Sequence, residues 1–155
     1  MSDPQQPVFS IDKIYVKDLS LEVPNAPEVF MDPAQPQLEV QLSSSGERIG
    51  TNELYEVVVT LTVTAKAGDK TIFLVEAAQA GIFTISGVPA ADMDPVLGIA
   101  CPNILFPYAR ETVASIINRA GFPAVNLAPV NFEAIYSQRL QEQQAKAGPR
   151  IEIAH

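Results

Sequence analysis

Residues 54–85, LYEVVVTLTVTAKAGDKTIFLVEAAQAGIFTI, decide the fold of this chain. Tyr55, Val57, Val59, Leu61 and Val63 alternate with Glu56, Val58, Thr60, Thr62 and Thr64, a period of two that predicts a strand over residues 54–65 with one apolar face. Its β-branched content suits a pleated, half-buried surface. Ala67-Gly68-Asp69 supplies a short turn, and residues 71–85 return as a second strand in which Phe73, Val75 and Ala77 alternate with Leu74 and Glu76. Gly81 is read as a bend in that strand.

Two more strands precede this hairpin. Over residues 9–23 the odd positions hold Phe9, Ile11, Tyr15, Leu19, Leu21 and Val23, and the even ones hold Ser10, Asp12, Asp18, Ser20 and Glu22. Ile14 and Val16 break the phase, which predicts either a bulge near Lys13 or partial cover on both faces. Residues 37–43 put Leu38, Val40 and Leu42 on one side, and Ser43-Ser44-Ser45-Gly46 reads as a turn. Four strands in succession predict an antiparallel meander. The segment 24–36, PNAPEVFMDPAQP, interrupts it with four prolines around Val29, Phe30 and Met31. Those apolar residues either pack over one end of the sheet or wall a groove together with the last helix.

The second half is helical. Asp94 followed by Pro95 predicts the start of a short helix that the Cys101-Pro102 step ends, and Asn103 is placed to cap the next one. From Leu105, apolar or small residues recur at Tyr108, Ala109, Thr112, Val113, Ile116, Ile117 and Ala120 in steps of three and four, with Pro107 distorting the first turn and Gly121 ending the helix. A connector through Pro123 and Pro129 reaches Asn131, read as the cap of a final helix with Phe132, Ile135, Tyr136 and Leu140 on one side. Gly148-Pro149 is expected to end the ordered chain, with mobile tails at both termini.

Composition narrows the chemistry. A chain of 155 residues with 47% hydrophobic residues suits one domain with a substantial core. Its formal charge of −8 opposes binding to nucleic-acid phosphates and favours basic partners. The single cysteine forms no internal disulfide, and no apolar run approaches the ~20 residues of a membrane span, so a cytoplasmic location without membrane insertion is expected. The one histidine, His155, is the terminal residue, which leaves no base for a Ser-His or Cys-His pair. Cys101 has no partner at metal-ligand spacing and reads as a buried small hydrophobe. Neither a nucleotide loop nor a nucleophile elbow is present. The expectation is a non-enzyme with no catalytic residue, metal or cofactor. One long helix covers only one side of a four-stranded sheet, and an exposed β-branched edge invites pairing, so self-association is expected.

The order Cys101-Pro102-Asn103, then Ile104-Leu105-Phe106-Pro107-Tyr108-Ala109-Arg110-Glu111, then Asn126-Leu127-Ala128-Pro129-Val130-Asn131-Phe132 closely resembles the SecB family of bacterial protein-export chaperones. Lys17-Asp18, residues 22–27 (EVPNAP) and Gly81-Ile82-Phe83 extend the resemblance from about Phe9 to Gln143. It implies an α+β fold, a four-stranded antiparallel sheet with a long helix and a shorter C-terminal helix, assembled as a homotetrameric dimer of dimers. The chaperone domain would span 8–143, between flexible segments 1–7 and 144–155. By similarity, 104–119 and the phase of Val75, Ala77 and Gln79 would lie near subunit contacts. The family holds unfolded precursor polypeptides without ATP and passes them to SecA, the ATPase of the secretion channel. Its acidic SecA-docking face corresponds to Asp18, Glu22, Leu74 and Glu76. Its client groove corresponds to Phe30, Leu38, Val40, Leu42, Tyr136 and Leu140. Two readings compete with export: a SecB-like chaperone dedicated to an antitoxin, and a small oligomeric ligand-binding α+β protein.

Overall fold

The computed structural model describes residues 6–32 and 34–153. Strands β1 (Val8–Glu22), β2 (Gln37–Ile49), β3 (Leu54–Ala67) and β4 (Lys70–Ser86) precede helices α1 (Ala90–Pro95), α2 (Cys101–Arg119) and α3 (Phe132–Ile153). All strand pairs are antiparallel, in the order β1-β4-β3-β2. The meander therefore holds for β2, β3 and β4, whereas β1 lies beside β4 and not beside β2. The long connection through the one-turn helix Glu28–Met31 lets the chain cross between the two edges, giving a Greek-key arrangement.

The alternation in the hairpin becomes the core. Val57, Val59, Leu61, Val63 and Ala65 on β3 join Phe73, Val75, Ala77, Phe83 and Ile85 on β4 on one buried face. Against it lie Cys101, Leu105, Ala109, Val113 and Ile117 of α2, a stripe of three- and four-residue steps. Gly81 earns its place by close approach: a Cβ there would stand 2.9 Å from Phe83 and 3.0 Å from Leu105. Val75, Ala77 and Gln79 are covered by α2 of the same protomer. Gln79 donates to the Tyr15 carbonyl at 3.2 Å and accepts from the Thr112 hydroxyl at 3.0 Å, which pins β1 and α2 to β4.

Several local expectations are corrected. Ser43-Ser44-Ser45-Gly46 is not a turn: β2 continues to Ile49, and Gly50, at φ 62°, turns the chain instead. The reason is tertiary, since Gly46 lies under Leu97 of the helical segment: a Cβ there would stand 3.4 Å from the Leu97 Cβ. The first helix starts at Ala90 behind Pro89, not at Asp94, and Asn103 caps nothing: α1 passes through a wide turn at Val96–Ala100 directly into α2. Pro102 is the second residue of α2, directly after that wide turn.

Other expectations hold. The β1 register shifts at Ile11/Lys13 and at Val16/Asp18 set bulges on either side of Lys13. Gly121, at φ 95°, follows the last turn of α2, and the Asn131 side chain accepts the Ala134 amide at 3.1 Å at the start of α3. The expectation that Gly148-Pro149 ends the ordered chain is not met: α3 runs through both residues to Ile153, since a proline removes one helical bond without necessarily ending the helix. Of the expected mobile tails, residues 1–5 and 154–155 lie outside the described residues.

Candidate protein-binding surfaces

The two faces of the sheet differ in kind. On the helix side, α2 covers β3 and β4 and leaves the flanking strands partly bare. Leu38 and Val40 on β2 are 43% and 47% exposed, beside half-buried Leu42. They share a face because their partners Ala65, Val63 and Leu61 all point into the core. At the Leu38 end, Phe30 stacks on Phe122 with ring centroids 5.1 Å apart, and Phe122 packs on Phe73 at 5.0 Å. Phe30, Leu38, Phe73 and Phe122, with Val29 and Val125, line an open groove of about 410 Å³. Such a groove removes apolar side chains from water at roughly 25 cal/mol per Å² while reading little sequence.

Of the residues expected in a client groove, the structure thus brings Phe30 and Leu38 into one cavity and places Val40 and Leu42 along the strand leading from it. Tyr136 and Leu140 are elsewhere. Tyr136 packs against Gly98, where a Cβ would come within 2.9 Å of its ring, and Leu140 is exposed farther along α3. Phe132 anchors the start of α3 on Phe106 at 5.9 Å, so the connector after Gly121 runs back along α2 and carries Phe122 and Val125 to the groove. Phe73, Phe122 and Val125 were missed in the sequence. Phe122, directly after a helix-ending glycine, was the available signal.

The opposite, outer face is polar. Asp18, Glu22, Leu74 and Glu76 all lie on it, on the paired strands β1 and β4: Glu22 faces Leu74, Ser20 faces Glu76, and Asp18 faces Ala78. The three carboxylates are exposed and Leu74 is half-buried between them and β3. Farther along, Tyr15 of β1 reaches over Ala80 to donate to Glu56 of β3, and Lys17 donates to the same carboxylate at 2.7 Å. Ala80 is fully buried beneath.

This clasp has a pH signature. The bonds from Lys17 and then Tyr15 hold the Glu56 carboxyl below its ordinary range, against the opposing effect of burial. Burial first, and the Glu56 carboxylate second, push Tyr15 from 10.0 to about 12. A lowered carboxyl contributes stability above its unfolded pKa that is lost as pH falls through the folded one. A raised phenol contributes stability below its unfolded pKa that is lost as pH rises through the folded one. Wild type is therefore expected to lose stability relative to Tyr15→Phe between about pH 10 and 12, and relative to Glu56→Gln on the acid side. Denaturant midpoints across pH check this; parallel curves for wild type and both variants would remove the clasp from the stability account.

The family profile described as "Preprotein translocase subunit SecB" matches residues 2–143. The chain belongs to the SecB family. It is 62% identical over 150 residues to the protein-export protein SecB of Chromobacterium violaceum, covering 96% of this chain and 99% of that one. The SecB of Neisseria meningitidis serogroup B is 52% identical over 148 residues, covering 95% and 100%. Among solved structures, a SecB-like chaperone of Mycobacterium tuberculosis, in complex with a peptide from an antitoxin, superposes with a TM-score of 0.66 over 79% of this chain and 90% of that one. At 17% identity that likeness concerns the SecB fold alone. Among the described residues, no helix is long and apolar enough to cross a membrane.

Proposed function

We infer that this SecB protein is an ATP-independent export chaperone of the cytoplasm, not an enzyme, which binds unfolded precursor polypeptides and delivers them to SecA. The family membership carries the reading, and the open groove of about 410 Å³ beside Leu38 gives it a physical basis. Phe30, Leu38, Val40 and Leu42 form the client surface, with Tyr136 and Leu140 on α3 as a separate apolar stretch for the same client. A long unfolded chain gains avidity by occupying several weak apolar stretches at once. Asp18, Glu22, Leu74 and Glu76 form the SecA-docking surface, where exposed negative charge speeds encounter with a basic partner. The chaperone domain spans 8–143.

The working form is a homotetramer, a dimer of dimers. Support comes from the β1 side of α2, where Phe9, Ile11, Val16 and Leu19 of the edge strand β1 and Tyr108 of α2 are 41–49% exposed. Native mass spectrometry tests both claims at once. A four-subunit mass that captures a chemically unfolded polypeptide and ignores its folded counterpart is expected. A monomer, or a species indifferent to unfolded chains, would overturn the reading.

A further inference from the structure

A second cavity adjoins the apolar groove. It holds about 210 Å³ where the loop after β1 meets the turn between β3 and β4, and it shares Val29, Asp32 and Ile72 with the groove, so that the two form one cleft. Its lining differs in kind. Asn25, Glu28, Asp32 and Lys70 bring an amide, two carboxylates and an ammonium to this end of the cleft, where the groove brings aromatic rings. Asn25 donates its Nδ2 to the Thr71 carbonyl at 2.8 Å, which leaves its Oδ1 as an acceptor. One oxygen of Asp32 accepts the Ala34 amide at 3.1 Å. Among the described residues, Glu28 and Lys70 make no side-chain hydrogen bond or ion pair within the protein.

We propose that this polar compartment binds the main chain of the client beside its apolar anchor, with Lys70 donating to a client carbonyl and with Glu28 and the Asn25 amide oxygen accepting client N–H groups. The proposal rests on the client reading above and adds a second kind of contact to it. Desolvation creates the need. A side chain that enters the groove draws its own peptide groups out of water, and a peptide group left there without a partner cancels much of what the buried apolar surface contributes. Charge argues for the main chain over a charged side chain. A client lysine or arginine would meet Lys70, and a client aspartate or glutamate would meet Glu28 and Asp32, whereas a peptide group brings one donor, one acceptor and no net charge. Such contacts select the unfolded state without selecting a sequence, because in a folded protein the peptide groups are already paired in helices and sheets.

The test uses a short uncharged peptide with one phenylalanine, and analogues in which each amide flanking the phenylalanine is replaced in turn by an ester, which removes the N–H. Affinity is measured by titration calorimetry on the full chain, on Glu28→Ala and on Lys70→Met, with thermal unfolding of each variant as a fold control. On the wild type at least one ester is expected to bind about tenfold more weakly than the peptide, as for loss of a hydrogen bond to a charged group. On Glu28→Ala that ester and the peptide are expected to bind alike, whereas Lys70→Met is expected to weaken the peptide and keep the ester penalty. An ester penalty at no position would overturn the proposal and leave the apolar groove standing. A penalty of equal size on wild type and Glu28→Ala would overturn it too, since the N–H would then be read elsewhere. A lysine beside the phenylalanine that strengthens binding to wild type but not to Glu28→Ala would replace the main chain by a cationic side chain as the occupant. If the wild type captures a chemically unfolded polypeptide but not the peptide, the proposal alone falls; if it captures neither, the client reading falls with it.

Discussion

Glu76→Lys is expected to weaken SecA binding by roughly a hundredfold at low salt, equivalent to about 2–3 kcal/mol. Glu76 is exposed on β4, opposite Ser20 of β1 and Thr62 of β3, with Glu22 and Asp18 on the same face. Reversal replaces an attraction for a basic partner by a repulsion at the centre of the acidic surface, so two units of charge change where the partner approaches. Salt screens both, and the gap between wild type and variant should narrow as ionic strength rises. Capture of unfolded polypeptides and the subunit mass should stay the same, because the groove beside Phe30 and Leu38 lies on the helix side of the sheet. Parallel loss of SecA binding and client capture would mean that the outer face is not a separate docking surface.

Leu105→Ala is expected to cost about 3 kcal/mol of folding stability, within the range measured for buried leucines truncated to alanine. Leu105 is completely buried, and its Cδ2 would stand 3.0 Å from a Cβ on Gly81, so it sits directly on the backbone of β4. That is a large share of the roughly 5–15 kcal/mol that holds a domain together. Gly81→Ala is expected to destabilise from the opposite direction, by about 1–3 kcal/mol, since the new methyl must displace Leu105 or Phe83. The two changes occupy the same space. In the double variant the alanine methyl at position 81 partly fills the void left at 105, so the double loss should be smaller than the sum of the single losses. Strict additivity in denaturant unfolding would show that the two positions do not share a packing space.

What could be read in the sequence was what depends on a single element. The period of two in 54–85 and the stripe from Leu105 to Ile117 each mark one buried face, and both faces are buried as expected. The phase of β1 and β4 likewise places Asp18, Glu22, Leu74 and Glu76 on one side of the sheet. What could not be read depends on partners far along the chain. Ser44 and Gly46 look like a turn until Leu97 is packed over Gly46, and only then is a small residue useful inside a strand. The neighbour of β1 was equally hidden, because periodicity reports which face a residue takes and not which strand lies beside it. Phe30, stacked on Phe122, lines one groove with Leu38, an arrangement of three segments far apart in the chain that no local pattern announces.

The placement of β1 also orders events during synthesis. Its partners run from Leu74 to Ser86, so the first strand to be made pairs with the last one. While β2 and β3 emerge they can close on each other through the turn at Gly50, but β1 must wait until β4 has been made before its amides and carbonyls find a strand. A protein that shields other nascent chains thus begins its own life with an apolar strand, Phe9, Ile11, Val16 and Leu19 included, left unpaired until about half of the chain has been made.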